Sequence, residues 1–179
     1  MIFAGESFTQ CPLTTDHRVL LNLLNEVKFG MIQDGTAIGL GLANSVNRLK
    51  DSQSKSKITI LLTDGSNNAG QIPPLTAAEL AASYGIRVYT IGIGSRGTSI
   101  ARIMTPYGPQ SMQVSGDFDE RTLTEIASIT KGTYFRATDN TSLKQIYDEI
   151  DQMEKTHISV NTVTKRKELY LPFAILALA

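Results

Sequence analysis

Tryptophan is absent, cysteine occurs once and histidine twice in 179 residues, and acidic and basic side chains balance at 17 each. Each scarcity closes off a class of function. The lone Cys11 rules out an intrachain disulfide and any multi-cysteine metal site. With no His and Asp context around it to activate it, Cys11 reads as a packed thiol and not as a nucleophile. Zero formal net charge, with no block of like charges, argues against a nucleic-acid partner. Met1 to Glu6 has neither the charged flank nor the long apolar region of a signal peptide. What is present, 41% hydrophobic and 19% charged residues, suits one globular domain with a substantial core.

The most informative stretch is Lys57 to Gly70, where the apolar run Ile58 to Leu62 ends in Thr63-Asp64-Gly65-Ser66-Asn67-Asn68. Nearly every residue of that run is apolar, instead of every second one, as in a central parallel strand covered by helices on both faces. Ligands of open α/β sheets bind beyond the carboxyl ends of such strands, which is where Asp64 falls. The plainer reading is an Asp-Gly turn with no further role.

Around this strand, apolar period alternates between strand and helix. Ile2 to Ala4 reads as the tail of a strand and Ser7 to Pro12 as a short polar edge strand. Asp16 can cap a helix with Leu20, Leu23, Leu24 and Val27 on its inner face and Gly30 as its stop. A second helix follows Gln33-Asp34-Gly35-Thr36, with Ile38, Leu42, Val46 and Leu49 inward; Gly39 and Gly41 inside it imply a close approach to the sheet. Thr76 to Glu79 reads as a capping box opening an Ala-rich helix that Gly85 closes, and Arg87 to Gly94 is the next strand. Ser95 to Asp117, rich in Gly and Pro, suits a loop or small hairpin. Asp119 then caps a helix with Leu123, Ile126 and Ala127 inward, Lys131 in its last turn and Gly132 after it. Thr133 to Ala137 is a strand. Leu143, Ile146, Tyr147, Ile150 and Met153 form the inner face of a final helix. The alternation predicts an α/β fold, a doubly wound and mostly parallel sheet with helices on both faces.

Lys165-Arg-Lys-Glu168 then precedes eleven residues, 169–179, that carry no charge. A membrane span needs about 20 apolar residues, so this is expected to be the start of a transmembrane helix; an apolar tail packed on the domain is the alternative. Flanking basic residues bias the domain toward the cytoplasmic side.

Thr36 opens a helix and Asp64 ends a strand at what should be the same edge of the sheet, and both offer the hard oxygen that Mg²⁺ takes. Asp34 to Gly39 followed by Ile60 to Gly65 resembles the second and third parts of the metal-ion-dependent adhesion site (MIDAS) of von Willebrand factor A domains. More narrowly, the run that includes Phe8 to Asp16 and Gly132 to Asp139 resembles bacterial BatA/BatB aerotolerance-type membrane proteins. The resemblance implies a metal-dependent, non-enzymatic protein–protein interaction module. In it Thr36 and Asp64 contact Mg²⁺ or Mn²⁺, and Asp34 and Ser66 stand behind them. The partner would offer an acidic residue, and a MoxR-type AAA+ ATPase and other Bat-type proteins are implied, in envelope stress or oxygen tolerance at the bacterial inner membrane. Residues 1–157 are then the domain, 158–168 a basic linker and 169–179 the membrane helix.

The family's first metal segment, Asp-x-Ser-x-Ser at the end of the first and central strand, has no match. Asp51-Ser-Gln-Ser-Lys55 has glutamine and lysine at the wrong places and lies in a polar loop. The sequence is therefore expected to begin after that strand, leaving the first central strand missing and the metal site weak or empty. A purely structural scaffold with a vestigial metal site is one alternative. A nucleotide-binding α/β enzyme is another, because Gly92-Ile-Gly-Ser-Arg-Gly97 matches G-x-G-x-x-G after a strand. It opens no convincing helix and comes late in the chain. No hydrolase triad suggests itself: Asp16 beside His17 is a helix cap, His157 lies near the C-terminal tail, and Ser66 lacks the glycines of a nucleophile elbow.

Overall fold

The computed structural model describes residues 1–28, 30–94, 98–105, 108–115 and 119–161. The linker and membrane-helix expectations for 162–179, and Gly97 of the glycine motif, lie outside them. The core is a parallel sheet of β3 (Lys57–Thr63), β4 (Ile86–Ile93) and β7 (Tyr134–Ala137), in the order β3-β4-β7. Register runs Lys57 beside Ile86 to Thr63 beside Gly92, then Thr90 beside Tyr134 to Ile93 beside Ala137. Consecutive residues of each strand face opposite ways. Leu61, Ile86 and Val88 therefore meet α2 (Ile38–Leu49), α3 (Pro74–Ser83) and α4 (Glu120–Ile129) in one cluster. Tyr89, Ile91 and Ala137 meet Ile146 and Ile150 of α5 (Asn140–Asn161) in the other. Helices on both faces of a parallel sheet are as the alternating pattern predicts.

Several local details differ from the sequence reading. β1 (Ile2–Phe3) and β2 (Ser7–Phe8) form an antiparallel pair of their own, apart from the main sheet. α1 (His17–Asn25) is capped by Asp16, whose carboxylate accepts from Arg18 and Val19 N–H. It ends five residues before Gly30, leaves Val27 outside and buries none of its residues; Leu20 and Leu24 are exposed. The segment is helical as its period predicts, but among the described residues no element packs on it closely enough to bury it. Gly39 and Gly41 allow a close approach to other partners than the sheet: a Cβ at Gly39 would stand 1.9 Å from the Ile72 carbonyl, and one at Gly41 2.9 Å from the Phe3 ring.

α3 starts at Pro74, before the supposed capping box, because a proline in the first turn is pre-set for helical φ and lacks only an N–H that needs no partner there. Lys131, expected inside the last turn of α4, instead carries the left-handed backbone after it, at φ 58°. The bonds Lys131 N–H to Ser128 and Gly132 N–H to Ala127 make a Schellman ending. Gly132 is needed for another reason: a Cβ there would stand 1.9 Å from the Val88 carbonyl of β4. Tyr147 is exposed and not on the inner face of α5. Ser95 to Asp117 holds a hairpin, β5 (Thr98–Thr105) against β6 (Gly108–Ser115).

Candidate metal-ion site

The carboxyl end of β3 and the start of α2 come together at one crevice. Thr63 begins the turn: its hydroxyl accepts from Gly65 N–H at 3.3 Å and donates to the Gly65 carbonyl at 3.2 Å. That closes the chain around Asp64, which is exposed. A Cβ built on Gly65 would lie 3.1 Å from the Thr36 hydroxyl, so the turn sits directly against Thr36. Asp34, Thr36 and Asp64 all line one hollow of about 580 Å³ beside β3. The sequence expectation that Thr36 and Asp64 share an edge of the sheet corresponds to what the fold brings together. Ser66 follows Asp64 in the same turn and is half-buried.

Two residues that the sequence reading passed over hold this arrangement. α2 begins without a capping side chain of its own, since Ala37 occupies the cap position. Asn67, across the crevice, accepts from Ile38 N–H at 2.8 Å and satisfies one of the donors left open at any helix start. Asn68 accepts from Thr36 N–H at 2.7 Å and returns its own N–H to the Thr36 carbonyl at 3.0 Å. The signal was in view: two adjacent asparagines just past a strand end are candidates for capping as much as for turning. Nothing local said which helix they would cap.

The donors are hard oxygens, a hydroxyl and one or two carboxylates. Mg²⁺ fits such a set because it is commonly held by one or two carboxylates and keeps several waters. Among the described residues no three His, Cys, Asp or Glu side chains group tightly enough to hold a metal unaided. An ion here would need water for much of its remaining coordination.

The glycine motif leads elsewhere. Gly92 lies inside β4, one residue before its end, and Gly94 donates its N–H to the Ala137 carbonyl while its own carbonyl accepts from Arg136 at 3.1 Å. The chain continues into β5, not into a helix whose amino end could face a phosphate.

Known proteins share this fold. An uncharacterized protein of Borreliella burgdorferi is 25% identical over 98% of this chain and 52% of its own length. The chain spans about half the length of the relatives it matches. Among solved structures, BatB from Bacteroides thetaiotaomicron is 29% identical with TM-score 0.68, covering 86% of this chain and 77% of that one. An aerotolerance-related membrane protein from Bacteroides fragilis is 28% identical with TM-score 0.66, covering 84% and 76%. The mussel byssus proximal thread matrix protein 1, described with a zinc-occupied MIDAS motif, shares the fold at 23% identity and TM-score 0.62, covering 85% and 33%. Residues 1–149 match the model of the von Willebrand factor type A domain, which also accounts for the two-sided parallel sheet and the paired loops at its carboxyl end. The chain belongs to the von Willebrand factor type A domain family.

Proposed function

We propose that this domain is a non-enzymatic, metal-dependent protein-interaction module of a membrane-anchored bacterial protein. One observation carries the reading: the Asn67 and Asn68 hydrogen bonds lock the loop bearing Thr36 against the turn bearing Asp64, so two hard-oxygen donors face one crevice. Mg²⁺ or Mn²⁺ would take the Thr36 hydroxyl and the Asp64 carboxylate directly, with Asp34 and Ser66 orienting its waters. A carboxylate of the partner would complete the coordination, which makes partner binding depend on metal. A neighbour described as an aerotolerance-related membrane protein supports a membrane setting; in this reading the membrane is the bacterial inner membrane, 169–179 is the anchor, and a MoxR-type AAA+ ATPase or another Bat-type protein is the partner. Among the described residues no helix is long and apolar enough to cross a membrane.

Titration calorimetry with Mg²⁺ and Mn²⁺ tests this. Weak binding that disappears in Asp64→Ala is the expected result, and no heat in either protein would sink the metal mechanism. A second reading, a scaffold with a vestigial metal site, is favoured by the small number of acidic donors at the crevice. It would lead if the chain bound its partner equally well in chelator.

A further inference from the structure

Asn67 and Asn68 are adjacent, yet their side chains serve groups in different surroundings. Asn67 accepts from the N–H of Ile38, the first residue of α2 and only 1% exposed, in a half-buried bond. Asn68 accepts from the N–H of Thr36 in a bond open to solvent. Removing the first acceptor leaves the donor of a buried residue without a partner, which is costly. Removing the second leaves a donor that water can take over at little cost to the fold.

What Asn68 fixes is the direction of Thr36. Its side chain takes the Thr36 N–H at 2.7 Å, and the N–H groups of Asn68 and Ala69 both donate to the Thr36 carbonyl, at 3.0 and 3.3 Å. The peptide groups on either side of the Thr36 Cα are thus tied to one stretch of the neighbouring loop, which restrains both soft dihedrals of that residue. Small residues let the two loops come this close: a Cβ on Gly35 would stand 3.0 Å from the Ala69 Cβ, and one on Gly70 2.9 Å from the Ala37 Cβ. Fixing the Thr36 backbone also aims its hydroxyl, and the loop that does so is the one that begins with Asp64.

We propose that the two asparagines divide the labour: Asn68 is a positioning residue for the metal ion, acting through Thr36 and not as a ligand, whereas Asn67 is a structural cap of α2. The inference rests on the metal reading proposed above. Groups that orient a metal ligand change affinity by about 10–100-fold when removed.

The test uses the 1–179 chain and Mn²⁺, followed through paramagnetic broadening of the amide signals around Thr36 and Asp64. Asn68→Ala should weaken Mn²⁺ binding by about tenfold or more while the thermal midpoint stays within about 2 °C of the unaltered chain. Asn67→Ala should do the reverse, lowering the midpoint by about 2–4 °C, as loss of a helix cap does at this chain length, with affinity changed less than about threefold. In chelator, amide exchange at Thr36 should quicken in Asn68→Ala and return to its original rate in Asn68→Asp, which keeps an acceptor at that place. Unchanged affinity in Asn68→Ala, beside an unaltered chain that binds, overturns the assignment and leaves the metal reading standing. So does a fall in affinity with Thr36 exchange unmoved, because Asn68 would then not act through Thr36. Broadening in no protein sinks the metal reading and the assignment with it.

Discussion

β3 and β4 are strands of nearly the same character in opposite circumstances. Both are short, apolar runs in one parallel sheet, and they pair with each other along the whole of β3. β4 lies between β3 and β7, with Val88 and Ile91 both at 0% exposure. β3 has a strand on one side among the described residues, and its first four residues, Lys57 to Ile60, stay half-buried. A continuous apolar run therefore states that a strand is meant to be covered, and leaves open by what. The doubly flanked strand becomes the rigid spine. The singly flanked one delivers Asp64 to the crevice.

The comparison can be broken by mutation. Its most severe test is Gly132→Ala, which drives a methyl into the Val88 carbonyl of β4. A cost of about 3–4 kcal/mol is expected, because a packed backbone cannot retreat by the distance required. Urea unfolding checks it, and a cost below about 1 kcal/mol would mean that β4 is not the rigid element claimed here.

Matched truncations sharpen the contrast. Ile91→Ala in β4 should cost about 3 kcal/mol and Ile60→Ala in β3 about 1–2, because cavity cost scales with burial. Equal costs by thermal unfolding would erase the distinction between the two strands.

The third test reaches the anchor that ties both strands to α5. Glu154, 7% exposed, accepts from the Tyr89 hydroxyl at 2.6 Å and the Ser56 hydroxyl at 2.9 Å, and pairs with Arg87. Burial opposes its ionisation, but the hydrogen bonds from Tyr89, Ser56 and Arg87 outweigh it and hold the carboxyl below its ordinary value. A depressed folded value means that the stability it contributes is fully present above about pH 4.5 and is lost as pH falls through the folded value. Glu154→Gln should cost about 2 kcal/mol near neutrality, where the charge-assisted bonds are lost, and should flatten the acid side of the stability curve. Some acid dependence should survive, since Asp119 is also held low by its hydrogen bonds to Thr122. An unchanged acid limb in pH-dependent urea unfolding would show that Glu154 does not control it.

Legibility in the sequence followed the range of the forces involved. Asp16 and Asp119 were readable as caps because a cap bonds to N–H groups two or three residues ahead of it. The ending of α4 was misread by one residue. Glycine is the usual left-handed residue, yet here Lys131 takes that conformation because Gly132 is required by its contact with β4. Glu154 escaped notice altogether: its donors lie 98, 67 and 65 positions away, and no local pattern marks a buried carboxylate as satisfied. Thr36 and Asp64 were named through a family resemblance and a strand-end argument. Their asparagine braces were not, since a capping side chain from another loop leaves no periodic trace.

The sequence by itself determined the alternation of strand and helix, the two-sided burial of the sheet and the acidic end of β3, because apolar period and local hydrogen bonding act over a few residues. Tertiary structure alone decided how the described strands are ordered, which helix Asn67 caps, and why Leu20 and Leu24 of α1 stay exposed. Those outcomes depend on which distant surfaces meet, and a surface that meets nothing looks the same in the sequence as one that is buried.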